Sequence, residues 1–252
     1  MGAATEQAGL AGRDDDVWHP AGERGKFRNE WLDSHHTFSF GEYHNPQRMG
    51  FGTLRVLNDD TVAPAKGFAT HPHRDMEIVS IPISGALQHK DSVGNSSIIR
   101  PGEVQSMSAG TGIEHSEWNP SGAEPVHFLQ IWILPRELSV QPRYAQWNYT
   151  PSLEGGRFAQ IVCPLGSDEP GIGLHQNVRF WMAQTEAAVS LELAPPRGCE
   201  GVYFFVIDGS AAISGRTLGK GDGLGRWTSA PQTVATAGPA RVLAIGVTKS
   251  RS

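Results

Sequence analysis

The chain has 252 residues, of which 21 are Lys or Arg and 26 are Asp or Glu, giving a formal net charge of −5. No basic cluster interrupts that balance, which argues against direct binding of nucleic acid, since that leaves a basic footprint. With 30 Gly, 17 Pro and 19% charged residues, the composition predicts a turn-rich, β-dominated globular protein with ample core.

Residues 1–16 are small and polar, end in Asp14-Asp15-Asp16, and are expected to be disordered. They hold no apolar core for a secretory leader, and position 6 is Glu where a myristoylation start wants Ser or Thr. No apolar run reaches the roughly 18 residues a membrane helix needs, so no membrane association is expected. Cys163 and Cys199 are the only cysteines and lie far apart, which favours reduced, buried thiols. The expected location is cytoplasmic.

Short strands and turns follow from Trp18. The stretch Trp31 to Phe40 places Phe38 and Phe40 on one strand face. His35, His36 and His44 read as loop or pocket-rim residues, because none stands in a His-x-His pair. Phe51 to Leu57 reads as a strand that Asn58-Asp59-Asp60 ends. The chemistry begins at Gly67. His71 and His73 are two apart, hence on one face of a strand whose side chains alternate. Pro72 between them cannot donate a ladder hydrogen bond, so this strand is expected at an edge. Ile78 to Ile83 continues it, and Ser84-Gly85 turns it into Ala86 to His89. Pro101-Gly102-Glu103 marks the turn before Val104 to Met107. His115 and Glu117 then repeat the two-residue spacing. If these two strands face each other, His71, His73, His115 and Glu117 converge on one point. Three imidazoles and a carboxylate suit a divalent transition metal and leave an octahedral ion two open positions. A structural zinc site would more often use cysteine and close at four ligands.

Val126 to Leu134 is the strongest strand, apolar on both faces, and belongs at the centre of a sheet; Pro135 ends it. His127 within it is expected to be buried with a local hydrogen-bond partner. Residues 136–158, with Pro142 and Pro151, read as the connection between two halves. The second half repeats the first faintly. Phe204 to Gly209 resembles Ile81 to Gly85, and Lys220-Gly221-Asp222 resembles Pro101-Gly102-Glu103. Aligned without gaps on Gly85 and Gly209, His71 and His73 fall on Pro195 and Arg197. Aligned on Gly102 and Gly221, His115 and Glu117 fall on Val234 and Thr236. The copy is expected to keep the fold and lack the metal. His175, alone near its start, reads as a surface or interdomain residue.

These residues carry a family resemblance. Gly67, His71-Pro72-His73, Glu77 and Gly85, followed by Pro101-Gly102-Glu103 and His115, resemble the two cupin motifs. With Asp33 to Pro46, Met49 to Asn58, Gln105 to Glu117 and Gln130 to Ile133 added, the chain resembles the pirins, a bicupin family, over roughly residues 17–248. The resemblance implies an all-β fold of two antiparallel β-barrels of jelly-roll type facing each other. The N-terminal metal-binding barrel would span 17–150, and a C-terminal barrel without metal ligands 151–248. It implies one metal, most often Fe(II), on His71, His73, His115 and Glu117; Mn, Co, Ni, Cu or Zn would also fit such donors. In pirins the ligand glutamate follows the last histidine by two, so Glu77 is expected to hold a ligand imidazole by its other nitrogen.

Some bacterial pirins resembling this chain act as quercetin 2,3-dioxygenases. That makes a flavonol-like substrate and O2 the expected partners, with Glu117 as the base for the flavonol 3-hydroxyl. Nuclear pirins act as iron-dependent cofactors of transcription factors. The alternative reading is therefore a non-enzymatic regulator that binds a protein partner. A third is an oxygenase for a different enol-like substrate.

Overall fold

Period-two patterning and closely spaced turn residues break the chain into short strands, with two single-turn 3-10 helices between them. The structure is a computed structural model and describes residues 16–153 and 156–250; the expectations for residues 1–15 fall outside that range. Asp16, read as the end of a disordered tail, instead begins the first strand.

The first half contains β1 (Asp16–His19), β2 (Gly25–Arg28), β3 (Leu32–His36), β4 (Leu54–Val62), β5 (Gly67–His73) and β6 (Glu77–Ser84). It continues with β7 (Leu87–Asp91), β8 (Ser96–Ile99), β9 (Glu103–Ser108), β10 (Ile113–Trp118), β11 (Val126–Ile133) and β12 (Arg143–Asn148). The second half contains β13 (Ala159–Pro164), β14 (Ile172–Leu174), β15 (Arg179–Thr185), β16 (Val189–Leu193) and β17 (Gly201–Asp208). β18 (Ser210–Ile213), β19 (Arg216–Gly219), β20 (Gly223–Arg226), β21 (Gln232–Thr236) and β22 (Ala240–Val247) complete it.

Each half is built from a seven-stranded and a four-stranded sheet. The orders are β12-β9-β6-β11-β4-β3-β2 with β5-β10-β7-β8, and β1-β20-β17-β22-β15-β13-β14 with β16-β21-β18-β19. This is the expected all-β bicupin plan, with one adjustment: among the described residues each sheet ends in two edge strands, so the halves are jelly-roll sandwiches and not closed barrels. Strand β11 lies at the middle of its sheet, as its apolar run predicts. Among the described residues no helix is long and apolar enough to cross a membrane.

The two large sheets pack against each other through their outer faces. Val79 and Ile81 of β6, with Leu129 and Ile131 of β11, share one buried cluster with Phe180, Phe205 and Leu243 of the second half. One strand is exchanged relative to a simple division of the chain. β1, inside the stretch 17–150 expected to form the first unit, pairs with β20 of the second half. The region 136–158, read as a plain connection, contributes β12, which pairs with β9 at the edge of the first large sheet.

Two local expectations are corrected. β4 does not stop at Asn58-Asp59-Asp60 but runs on to Val62. Those polar residues are tolerated in a strand because they have partners: Asp59 meets Arg24 and His127, and Asp60 meets Ser34. That bond from Asp59 supplies the partner expected for His127, which is half-buried. Phe38 and Phe40 do not share a strand face, because β3 ends at His36. Phe38 joins the cluster between the halves, while Phe40 packs edge-on against Trp132 at 5.3 Å.

The internal repeat is visible in the turns. Gly85 and Gly209 have φ of +73° and +74°, and Gly102 and Gly221 have +87° and +80°, a region glycine enters without a Cβ penalty. The gapless alignment of the first histidine pair does not hold, because Pro195 and Arg197 lie beyond the end of β16. In the strand pair β16–β21 the cross-strand partners are Leu191 with Val234 and Leu193 with Gln232.

Candidate metal centre

Strand β5 lies at the edge of its four-stranded sheet, where Pro72 withholds no bond from a neighbour. It pairs with β10 so that His71 faces His115. Gly67 permits the close approach, since a Cβ there would stand 2.3 Å from the Glu117 carbonyl oxygen. The register then slips: Glu117 faces Phe68, so three steps on β5 match two on β10. This is a β-bulge, and Ala69 and Thr70 both turn outward within it. It brings Phe68 onto the same lining as His71 and His73, although Phe68 and His71 are three apart.

One nitrogen from each of His71, His73 and His115 lies within 4.8 Å of the others. His71 Nδ1 is 2.7 Å from the Ala69 carbonyl oxygen. A carbonyl only accepts, so Nδ1 carries the proton and Nε2 presents its lone pair. Behind His115 stands His89, fully buried, with Nδ1 at 3.5 Å from His115 Nδ1 and Nε2 at 3.1 Å from Asp91. Asp91 accepts from His89 Nε2, His89 Nδ1 accepts from His115 Nδ1, and His115 Nε2 is left bare. The two bare nitrogens, His71 Nε2 and His115 Nε2, are 3.1 Å apart. Two lone pairs aimed at each other at that distance repel unless a cation lies between them, so these residues fit a metal. Burial, helped by His71, pushes His73 down to about 4. Burial and the neighbouring histidines push His115 down to about 2. Both are neutral at ordinary pH, with lone pairs free to bind a cation.

Glu117 follows on β10, 2% exposed, and lines the same cavity as His71 and His73. Its carboxylate stands outside the cluster of three nitrogens. Gln130 Nε2 donates to its Oε2 at 2.5 Å and Ser80 Oγ to its Oε1 at 3.0 Å. Burial pushes its acid up to about 7, and these two hydrogen bonds oppose that shift. Glu77 does not hold a ligand imidazole. It accepts from Ser108 Oγ at 2.8 Å and from the backbone N–H of His175 at 3.1 Å. The reason is parity: Ser80 faces the site, so Glu77, three residues earlier on the same strand, points to the opposite face and the second half. His175 is thereby an interdomain residue.

The site opens into a cavity of about 440 Å³. Phe40, Tyr43, Phe68 and Trp132 give it aromatic walls, and Trp132 stands edge-on to His73 with ring centroids 5.0 Å apart. A polar wall of Ser34, His36, Asn58 and Asp60 completes it. His36 thus lines the pocket, as a rim residue should. His35 instead sits 3.3 Å from Asp33, and His44 is exposed. Sequence reading missed His89, Asp60 and Gln130. His89 and Gln130 look like ordinary strand residues, and Asp60 looks like part of a turn. The one available signal was Gln130, a polar residue inside the most apolar strand.

Comparison with known proteins agrees with this architecture. The family model described as Pirin matches residues 19–133, and that described as Quercetinase C-terminal cupin domain matches residues 160–247. A protein of Escherichia coli (strain K12) named quercetin 2,3-dioxygenase is 41% identical over 210 residues, 82% of this chain and 87% of the relative. The crystal structure of YhhW from Escherichia coli superposes with a TM-score of 0.87 at 35% identity, covering 94% of this chain and 99% of that one. The bacterial pirin YhhW from Escherichia coli in complex with nickel(II) gives 0.86 at 36% identity, covering 94% and 100%.

Proposed function

The chain belongs to the pirin family, and on that premise we propose that it is a metal-dependent dioxygenase that opens the central ring of a flavonol such as quercetin. The observation that carries the reading is the pair of bare imidazole nitrogens, His71 Nε2 and His115 Nε2, 3.1 Å apart beside an aromatic-walled cavity. The size and lining are those of a small-molecule site, largely apolar with a few convergent polar groups. The name of the Escherichia coli relative supports the substrate class.

His71, His73 and His115 would hold one divalent ion, with Glu117 as the fourth ligand. Such an ion would supply Lewis acidity and two open positions for the oxygens of a flavonol, orienting it for attack by O2. The remaining work falls to side chains. Glu117 accepts the 3-hydroxyl proton, and Gln130 and Ser80 fix the direction of its carboxylate. Phe40 and Trp132, packed edge-on against each other, line the cavity with apolar surface that excludes water. In this reading the metal chemistry belongs to the first unit, 17–150, and the second, 151–248, supports it through the shared core.

Oxygen consumption by metal-loaded protein with quercetin tests the proposal. Uptake stoichiometric with flavonol loss is expected. No uptake with any flavonol would remove the dioxygenase reading.

A further inference from the structure

The inner face of the first large sheet is polar where the matching positions of the second are apolar. Register carries one row across it: His36 faces Asn58, Asn58 faces Gln130, Gln130 faces Ser80, and Ser80 faces Gln105. One step along, Ser34 faces Asp60 and Asp60 faces Phe128. Matching Gly209 to Gly85 and Gly221 to Gly102 puts Phe204 in the place of Ser80 and Leu224 in that of Gln105. Phe204 and Leu224 are themselves cross-strand partners, so the match is consistent. From Phe204 the register leads to Ala244 and Trp181, and one step along to Val242 and Ala183. Asp60 thus stands where the second half has Ala183.

The fold itself therefore does not ask for a carboxylate at this position, and burying one is costly. Asp60 is 3% exposed and lines the cavity beside the candidate metal centre. The Ser34 hydroxyl donates to its Oδ1, and His36 Nε2 lies 2.8 Å from that hydroxyl. Ser34 gives its proton to the carboxylate, so its oxygen accepts from His36. The series locks the direction of Asp60 and commits one of its oxygens. Oδ2 has no protein donor among the described residues and is left for an occupant of the cavity. Phe27, Phe40, Tyr43, Phe68 and Trp132 line the same cavity.

We propose that Asp60 is the specificity determinant of this pocket, accepting a hydrogen bond from a phenolic hydroxyl of the substrate. The substrate class is then a planar aromatic molecule with a metal-binding oxygen pair and a further hydroxyl donor. This rests on the dioxygenase reading above and narrows it. Ser34 and His36 act through Asp60 as positioning residues.

The test is anaerobic binding to the metal-loaded full chain, followed by quenching of tryptophan fluorescence. The two probes are quercetin and 3-hydroxyflavone, which lacks the additional hydroxyls. Wild type should prefer quercetin by roughly 3–100-fold, the span from a hydrogen bond to a neutral group to one to a charged group. Asp60→Ala, which installs the residue found at the matching place of the second half, should bring that ratio close to one. An unchanged ratio in Asp60→Ala overturns the proposal. Should that variant fail to fold, Ser34→Ala removes only the hydroxyl that aims the carboxylate, and an unchanged ratio there overturns it equally. If wild type binds neither flavonol, the flavonol reading falls and takes this proposal with it. If it binds and consumes both without preference, only the assignment to Asp60 falls.

Discussion

Nδ1 of His115 lies 3.5 Å from Nδ1 of His89, and the far nitrogen of His89 lies 3.1 Å from Asp91. Asp91 is in turn held by the backbone and side-chain N–H groups of Asn95 at 2.9 and 2.8 Å. The order of donors and acceptors in this series decides which nitrogen of His115 faces the cavity. His89→Leu should keep the volume and lose the order. Removing such outer partners typically lowers metal affinity or activity roughly 10–100-fold. Competition with a chelator of known affinity measures it. Wild-type affinity in a folded His89→Leu protein would show that His115 needs no help in orienting.

One equivalent of metal per chain is the second expectation. In the second half the strand pair matching β5–β10 joins Leu191 to Val234, both buried in an apolar cluster. Elemental analysis after equilibrium dialysis should give about one equivalent, and His71→Ala should remove it. Two equivalents that survive His71→Ala would place a site elsewhere.

Where one local rule settled the outcome, the fold and site were legible in the sequence. Period two set His71 with His73 and His115 with Glu117, Pro72 put β5 at an edge, and the glycine turns betrayed the repeat. What escaped depended on tertiary pairing. The bulge at Ala69 and Thr70 has no residue signature, yet it brings Phe68 to the pocket and a carbonyl to His71. The Asn58-Asp59-Asp60 run looks like a turn until Arg24, His127 and Ser34 are known to meet it. Glu77 departs from its expected place because the parity of β6 turns it toward the second half, which the family motif does not encode.

The pH dependence of stability should carry a signature from His19. This side chain is buried between the halves, with Nδ1 2.8 Å from the Tyr203 hydroxyl and its ring edge-on to Phe38. Burial, assisted by the Arg48 charge, pushes it from 6.5 down to about 4. A depressed histidine stabilises fully above its unfolded value. Below it the unfolded chain takes up a proton that the native one refuses. The contribution is therefore lost as pH falls from about 6.5 to about 4, by up to about 3 kcal/mol at roughly 1.4 kcal/mol per unit. Burial pushes Asp60 and Glu77 up to about 7, and these act with the opposite sign in part of that window. The test is accordingly a difference: denaturant midpoints of His19→Gln should fall less steeply over this range than those of wild type. Parallel curves would mean that His19 titrates normally.

Glu117→Gln separates the two roles assigned to that residue. The amide oxygen can take the Gln130 N–H that Oε2 now accepts, and the amide nitrogen can donate to the Ser80 hydroxyl, so the variant should fit the site. It keeps a neutral oxygen donor of the same reach and loses the ability to take a proton. Burial pushes the Glu117 acid up to about 7, against the Ser80 and Gln130 hydrogen bonds. The variant should retain much of the metal and lose roughly 10²–10⁴-fold in turnover, the usual range for a missing general base. Metal content and turnover have to be read on the same preparation. A variant that is both loaded and fully active rules the carboxylate out as the base. One that is empty makes Glu117 chiefly a ligand. Ser80→Ala completes the comparison by removing one of the two donors to the carboxylate while leaving its charge. If Glu117 is the base, Ser80→Ala should shift the pH profile of turnover, because Ser80 helps to set the acidity of Glu117. If Glu117 is only a ligand, the profile should stay where it is.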